Sequence, residues 1–420
     1  MRALRNFHED SSSEIILHQT LTDIEILFNK QHYDLCMALV KNAMPLAEQN
    51  EHFTLQLQLL KWQRRIMIRK GLYNEVARQN DTITGKERQC LAMIGNLLEY
   101  KDIQAQFLAL LSQKGNARHP DEMKGFKELI KNPFLKNEKR ALSHNARLLF
   151  FDCWSWYYQY TLQIDKAYKI CLRMVSYLEK NPEKIRLHPQ SYMAALSSLA
   201  NRCTNYNKYD EALRVIEKME RMQDIKGLKI PKSLQTEILT YSVERRLMIY
   251  AYNREFKKGI DCYEKTKNEV EKNRKVLRAT FLSMYNELVA LCFLHAGQFD
   301  QALRHLRFVL DEVDDKQRSD TFLYAHLLHI MTQYELKSFQ LLPYLIKSVQ
   351  RFAKSRNFTQ ESVALFLKMF GDLQKKNQPQ QVREIVAAYL PKFQALNKLN
   401  SDSVITGSID LEYWMEGKLK

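Results

Sequence analysis

The sequence predicts an all-α protein made of antiparallel helix pairs stacked side by side, and three observations carry that reading. Glycine occurs 11 times and proline 9 times in 420 residues, less than half of the roughly 12% that the two usually make up together. So few turn-forming residues disfavour all-β sandwiches and folds that cradle nucleotides in glycine-rich loops. Apolar residues recur at i, i+3, i+4 and i+7 through almost every segment, the spacing of one face of a helix. Finally, one short motif returns along the chain: a large, usually aromatic residue, two polar residues, then a small one.

Taken in order, the motif is YDLCMALV at Tyr33–Val40, a weaker YNEV from Tyr73, and IDKAYKIC at Ile164–Cys171. It continues as YDEALRVI at Tyr209–Ile216, FKKGIDCY at Phe256–Tyr263 and FDQALRHL at Phe299–Leu306, with weaker copies at Phe339 and Pro379. Its fourth residues are Cys36, Val76, Ala167, Ala212, Gly259, Ala302, Leu342 and Val382, spaced by 40, 91, 45, 47, 43, 40 and 40. The gap of 91 is about twice the others and implies one degenerate unit. A helical period of this size marks stacked helix pairs. One pair cannot bury both its faces, so the next pair covers the exposed side and the core runs along the stack. The small fourth residue lets the second helix approach the first closely, and the aromatic before it fills the wedge at the turn. Residues 276–296 contain no glycine or proline and are apolar on more than one face, so this helix is covered on both sides and stops at Gly297.

Breaks in this pattern set the boundaries. Residues 1–80 read as N-terminal helical repeats. Within 81–139, Gly115, Pro120, Gly125 and Pro133 fall close together, and the segment is expected to be an irregular or degenerate repeat with a long surface loop and one short helix. Residues 140–396 form the main stack. Residues 397–420 are a polar connection followed by a short amphipathic helix carrying Leu411, Trp414, Met415 and Leu419, placed either to cap the last repeat or to dock on a partner.

The unit around Gly297 resembles a tetratricopeptide repeat: Ala290, Phe293, Gly297, Phe299, Ala302 and Leu306 occupy its small, aromatic, glycine, aromatic, small and large positions. Ala200, Tyr209, Ala212 and Ile216 match in another unit, with Cys203 replacing an aromatic, as do Tyr250, Phe256, Gly259 and Tyr263 in a third. The resemblance spans about 15–395 and is strong over 140–315. The units exceed the standard 34 residues, as in the long-helix proteins of this type from bacteria. It implies a right-handed superhelix whose first helices line a concave groove. Projected onto that groove are Trp156, Tyr160, Asn201, Asn205, Tyr241, Glu244, Tyr252, Glu287 and His295. Asparagine amides bond a peptide backbone in both directions, and the rings hold apolar side chains, so the set suits an extended peptide.

The net charge is +16. Residues 1–60 carry −4, 61–150 carry +9, 151–275 carry +8 and 276–420 carry +3. The basic excess could attract an acidic protein segment or nucleic acid, yet the cations are interspersed with carboxylates as on solvated helix faces. Within KWQRRIMIRK, Arg65 and Arg69 share a face with Trp62, Lys61 and Arg64 form a second row, and Lys70 follows; this patch could hold phosphates or an acidic partner.

No apolar run of membrane-spanning length and no signal core is evident, and seven scattered cysteines without a CxxC pair read as reduced core thiols, so a cytoplasmic protein is expected. His326 and His329, with His295 and His305 one repeat earlier, lack any metal-binding motif. Thr84-Gly85-Lys86 lacks the first glycine and the following Ser or Thr of a phosphate loop, since Asn80 and Glu87 stand there. No catalytic residue, cofactor or metal is expected. The expectation is a non-enzymatic scaffold that binds a protein or peptide segment in its groove; a nucleic-acid-binding protein using the basic 61–275 region, or a ligand-sensing regulator, is the alternative.

Overall fold

The computed structural model describes residues 13–114, 122–312, 319–356, 358, 360–376, 378–398 and 408–420. Gly115, Pro120 and most of the polar connection lie outside them. Among the described residues there are nineteen α-helices, three short 3-10 turns and no strand. The chain divides into two compact units, residues 1–208 with 226–231 and residues 209–225 with 232–420. The stack expected over 140–396 thus contributes to both.

Unit 1 holds α1 (Ser13–Asn29), α2 (Tyr33–Gln49), α3 (Phe53–Arg69), α4 (Tyr73–Lys114), α5 (Glu122–Leu129), α6 (His144–Tyr160), α7 (Ile164–Glu179), α8 (Pro182–Leu187) and α9 (Pro189–Asn205). Helices adjacent in sequence pack together, and α4 also packs on α6 and α7 on α9. Unit 2 holds α10 (Tyr209–Glu220), α11 (Lys232–Tyr252), α12 (Phe256–Asn273), α13 (Ala279–His295), α14 (Phe299–Glu312), α15 (Ser319–Glu335), α16 (Leu342–Ser355), α17 (Glu361–Leu373), α18 (Pro379–Lys398) and α19 (Leu411–Leu419). Here too packing is sequential, and α13 also touches α11 and α15. One continuous core runs from Val243 on α11 to Met415 on α19.

The recurring motif marks helix starts. Tyr33, Tyr73, Ile164, Tyr209, Phe256, Phe299 and Pro379 are each the first residue of a helix. The marker residues Cys36, Ala167, Ala212, Ala302 and Leu342 are wholly buried. At Gly259 the approach is closest: a Cβ would lie 2.5 Å from Cys292 Sγ on α13, so only glycine fits.

A left-handed residue lies two positions before seven of the eight motif copies. These are Gln31, Gly71, Leu162, Asn207, Arg254, Gly297 and Lys337, with φ from 54 to 77°. The next N–H bonds the carbonyl five residues back, as in His32 to Leu27 (3.0 Å), Gln163 to Tyr158 (2.8 Å) and Gln298 to Phe293 (2.9 Å). That is the Schellman closure of a helix end. Two of the seven are glycine, so the turn is held mainly by its backbone bonds.

Residues 73–114, read from 81 onward as part of an irregular or degenerate repeat and loop region, form one helix of 42 residues. Ile83, Cys90, Asn96, Tyr100, Ile103 and Phe107 make a buried stripe along it. Gly85 and Gly95 sit within the helix, costing about 1 kcal/mol each. Burying rings such as Tyr100 and Phe107 returns about 1.5–3 kcal/mol apiece. The segment after α5 is then pinned to α4. The Asn96 amide donates to the Arg140 carbonyl and accepts from the Leu142 N–H (both 2.9 Å), while the Tyr100 hydroxyl donates to the Phe134 carbonyl at 2.8 Å. Helix α6 begins beside it, its first N–H groups capped by Ser143 Oγ and by the Glu51 carboxylate at 2.6 and 3.0 Å.

Candidate functional site

In unit 2 the turn after α11 and the C-terminal ends of α13 and α15 present Arg254, His295 and Glu335. Residues 409–420 lie against all three. His295 Nε2 donates to the Ile409 carbonyl at 3.0 Å; a carbonyl can only accept, so the proton is on Nε2. Arg254 grips the Asp410 carboxylate with two bonds of 3.0 Å, the bidentate geometry that suits guanidinium to carboxylate. Glu335 accepts from the Trp414 indole N–H at 2.6 Å and from Lys418 Nζ at 2.8 Å.

Rings fill the space between these polar contacts. Tyr413 meets Phe256 at 5.2 Å and the His295 ring at 5.4 Å, while Trp414 meets Tyr334 at 5.7 Å and Phe370 at 5.3 Å. Leu411, Trp414 and Met415 are buried, at the i, i+3, i+4 spacing of an amphipathic helix. Burial lowers the His295 pKa, although the Ile409 carbonyl and Asp410 oppose the shift.

The other predicted residues of this unit form a polar group on α11 and α13. The Arg245 guanidinium lies 5.4 Å from the Tyr241 ring centroid and 3.5 Å from the Glu244 carboxylate. The Tyr252 phenol is pushed up by burial and then by Glu287, with Arg245 opposing, which puts these groups within electrostatic reach of one another. Glu287 is buried and Tyr252 is 44% exposed.

No protein-family model matches the chain, and no curated protein matches it. The site's chemistry therefore rests on its own residues.

In unit 1, Trp156 and Tyr160 point toward α4 and α5. Trp156 makes an edge contact with Phe107 at 6.4 Å, and Tyr160 stacks on Phe126 at 5.4 Å and 5°. Both partners belong to the region read as irregular, so this packing was not legible. Asn201 is half-buried and Asn205 exposed.

The basic patch is divided among neighbours. Arg64 pairs with Glu87 at 3.0 Å and Thr84 at 3.2 Å. Arg65 stacks over Phe28 and Trp62, Lys70 pairs with Asp34, and Lys61 and Arg69 are exposed. Thr84-Gly85-Lys86 lies inside α4, where Lys86 pairs with Glu48.

His305 bonds Asn286 at 2.7 Å, His326 packs between Phe322 and Phe352, and His329 bonds Gln333 at 3.1 Å. Among the described residues, no three His, Cys, Asp or Glu side chains gather to hold a metal, and no helix is long and apolar enough to cross a membrane. All seven cysteines are buried, and none forms a disulfide.

Arg254 and Glu335 were missed by sequence reasoning. Glu335 stands 40 residues after His295, one repeat on, and that spacing could have found it. Arg254 carried no such signal, because its role depends on where Asp410 falls.

Proposed function

We propose that this protein is a non-enzymatic scaffold that binds a protein or peptide segment, built as a right-handed, TPR-like solenoid of antiparallel helix pairs. The observation that carries the reading is the seating of residues 409–420 on unit 2. A backbone carbonyl on His295, a carboxylate on Arg254, and an indole and an ammonium on Glu335 are contacts that a partner segment would also make. The stack holds these groups in place beforehand, so a segment loses little binding energy to ordering the receptor. Seven buried thiols, none in a disulfide, suit a reducing cytoplasm.

The test uses the full chain carrying Asp410→Ala and Lys418→Ala, which loosen its own segment. A fluorescein-labelled peptide of residues 408–420 is titrated in and followed by anisotropy. Saturable binding is expected. Adding His295→Ala and Glu335→Gln should weaken it roughly tenfold or more. A peptide that fails to bind the loosened chain, or binds both chains equally, overturns the reading.

A further inference from the structure

Unit 1 contains a cavity that nothing above uses. It has a volume of about 610 Å3 and lies between α6, α7 and the 3-10 turns of residues 133–140. Phe150, Trp154 and Tyr158 form its aromatic wall, spaced four apart on one face of α6. Trp154 and Tyr158 stack at 5.0 Å and 29°, and the Trp154 indole N–H is tied to the Leu135 carbonyl at 3.1 Å. The wall is therefore rigid before any ligand arrives.

Cations line the cavity beside it. Arg147 and Arg173 share one carboxylate, Glu138, at 3.6 and 2.5 Å. The Arg147 contact is made by its buried Nε, beyond hydrogen-bond distance, and its guanidinium lies 5.0 Å from the Tyr177 ring centroid. Lys136 and Lys139 also line the cavity, with side chains exposed and in no ion pair among the described residues. Four cations and one carboxylate thus line the cavity beside an aromatic surface.

This composition discriminates between anions. A ligand carboxylate carries the same charge as Glu138 and gains little by replacing a tethered competitor. A phosphate carries nearly twice the charge and three acceptor oxygens, enough to engage both guanidiniums together with the lysines. An aromatic base completes the match, because every base presents a π-face to a stacking wall. We propose that this cavity binds a nucleoside phosphate, with its base on the Trp154–Tyr158 wall and its phosphate among Arg147, Arg173 and Lys139.

Isothermal titration calorimetry on the full chain tests this, using AMP, GMP, CMP, UMP, adenosine, inorganic phosphate and a short single-stranded oligonucleotide. A mononucleotide should bind at least roughly tenfold more tightly than adenosine or phosphate alone, since each lacks half the match. Arg173→Ala with Lys139→Ala, both at exposed positions, should weaken binding roughly tenfold, and Tyr158→Ala should weaken it severalfold. Glu138→Gln removes the competitor and should tighten binding, a gain that misfolding cannot imitate.

If the oligonucleotide exceeds the mononucleotide and loses affinity in the same variants, the source is a nucleic acid strand; equal affinity marks a free nucleotide. Absence of binding by all the nucleotides and the oligonucleotide overturns the proposal. So does binding that survives Arg173→Ala with Lys139→Ala.

Discussion

Two residues show how tightly the core constrains its chemistry. Gly259 has no room for a methyl group, because Cys292 Sγ stands 2.5 Å from where its Cβ would be. Gly259→Ala should lower stability by about 1–3 kcal/mol through overpacking. Cys292→Ala in the same chain should recover a good part of the loss, as expected for neighbours in contact; urea midpoints of the four chains check it. His326, wedged between Phe322 and Phe352, is pushed down to about 4 by burial and then by His329. In the unfolded chain its imidazole takes up a proton near the ordinary 6.5. Between those values the unfolded state binds more protons, so the stability held above pH 6.5 is lost as the pH falls toward 4. His326→Phe should abolish this part of the dependence. Plotted against pH, the native-minus-variant difference in urea midpoint should be flat above 7 and fall by 4.5; a difference flat throughout would remove the histidine from the account.

At the scale of the element, the turn between paired helices is the informative unit. Leu162 holds φ at 54° and is 70% exposed, so it bears the steric cost of the left-handed region with little packing in return. Leu162→Gly should stabilise the chain by about 0.5–1 kcal/mol, the strain relieved less the entropy that glycine loses. Gly297→Val should do the opposite, and thermal melts of both test it. The helix starts were legible because a large residue, two polar residues and a small one repeat wherever a second helix begins. The long helix α4 was not, because glycines normally signal turns and its compensating burial depends on distant Phe126, Phe134 and Trp156. The docking of α19 was half legible. Leu411, Trp414 and Met415 announced an amphipathic face, but Arg254 and Glu335 become its partners only once the chain has folded.

At the scale of the molecule, each unit has its own core, and α19 belongs to the second. Trp414 is buried there and bonded to Glu335. Trp414→Ala should cost unit 2 about 3–5 kcal/mol. Hydrogen exchange read by mass spectrometry should show faster exchange in α13, α15 and α17, with α1 to α3 unchanged. Uniform acceleration across the chain would mean the units do not unfold separately.

The seven left-handed turns have a consequence for how such a chain drifts over generations. Their closure is written in main-chain bonds that any amino acid but proline can supply, so most substitutions at these corners carry only a mild penalty. The corner glycine that would advertise a repeat can vanish while its bend persists. Shape can outlast spelling here, and similarity between sequences fades well before the architecture does.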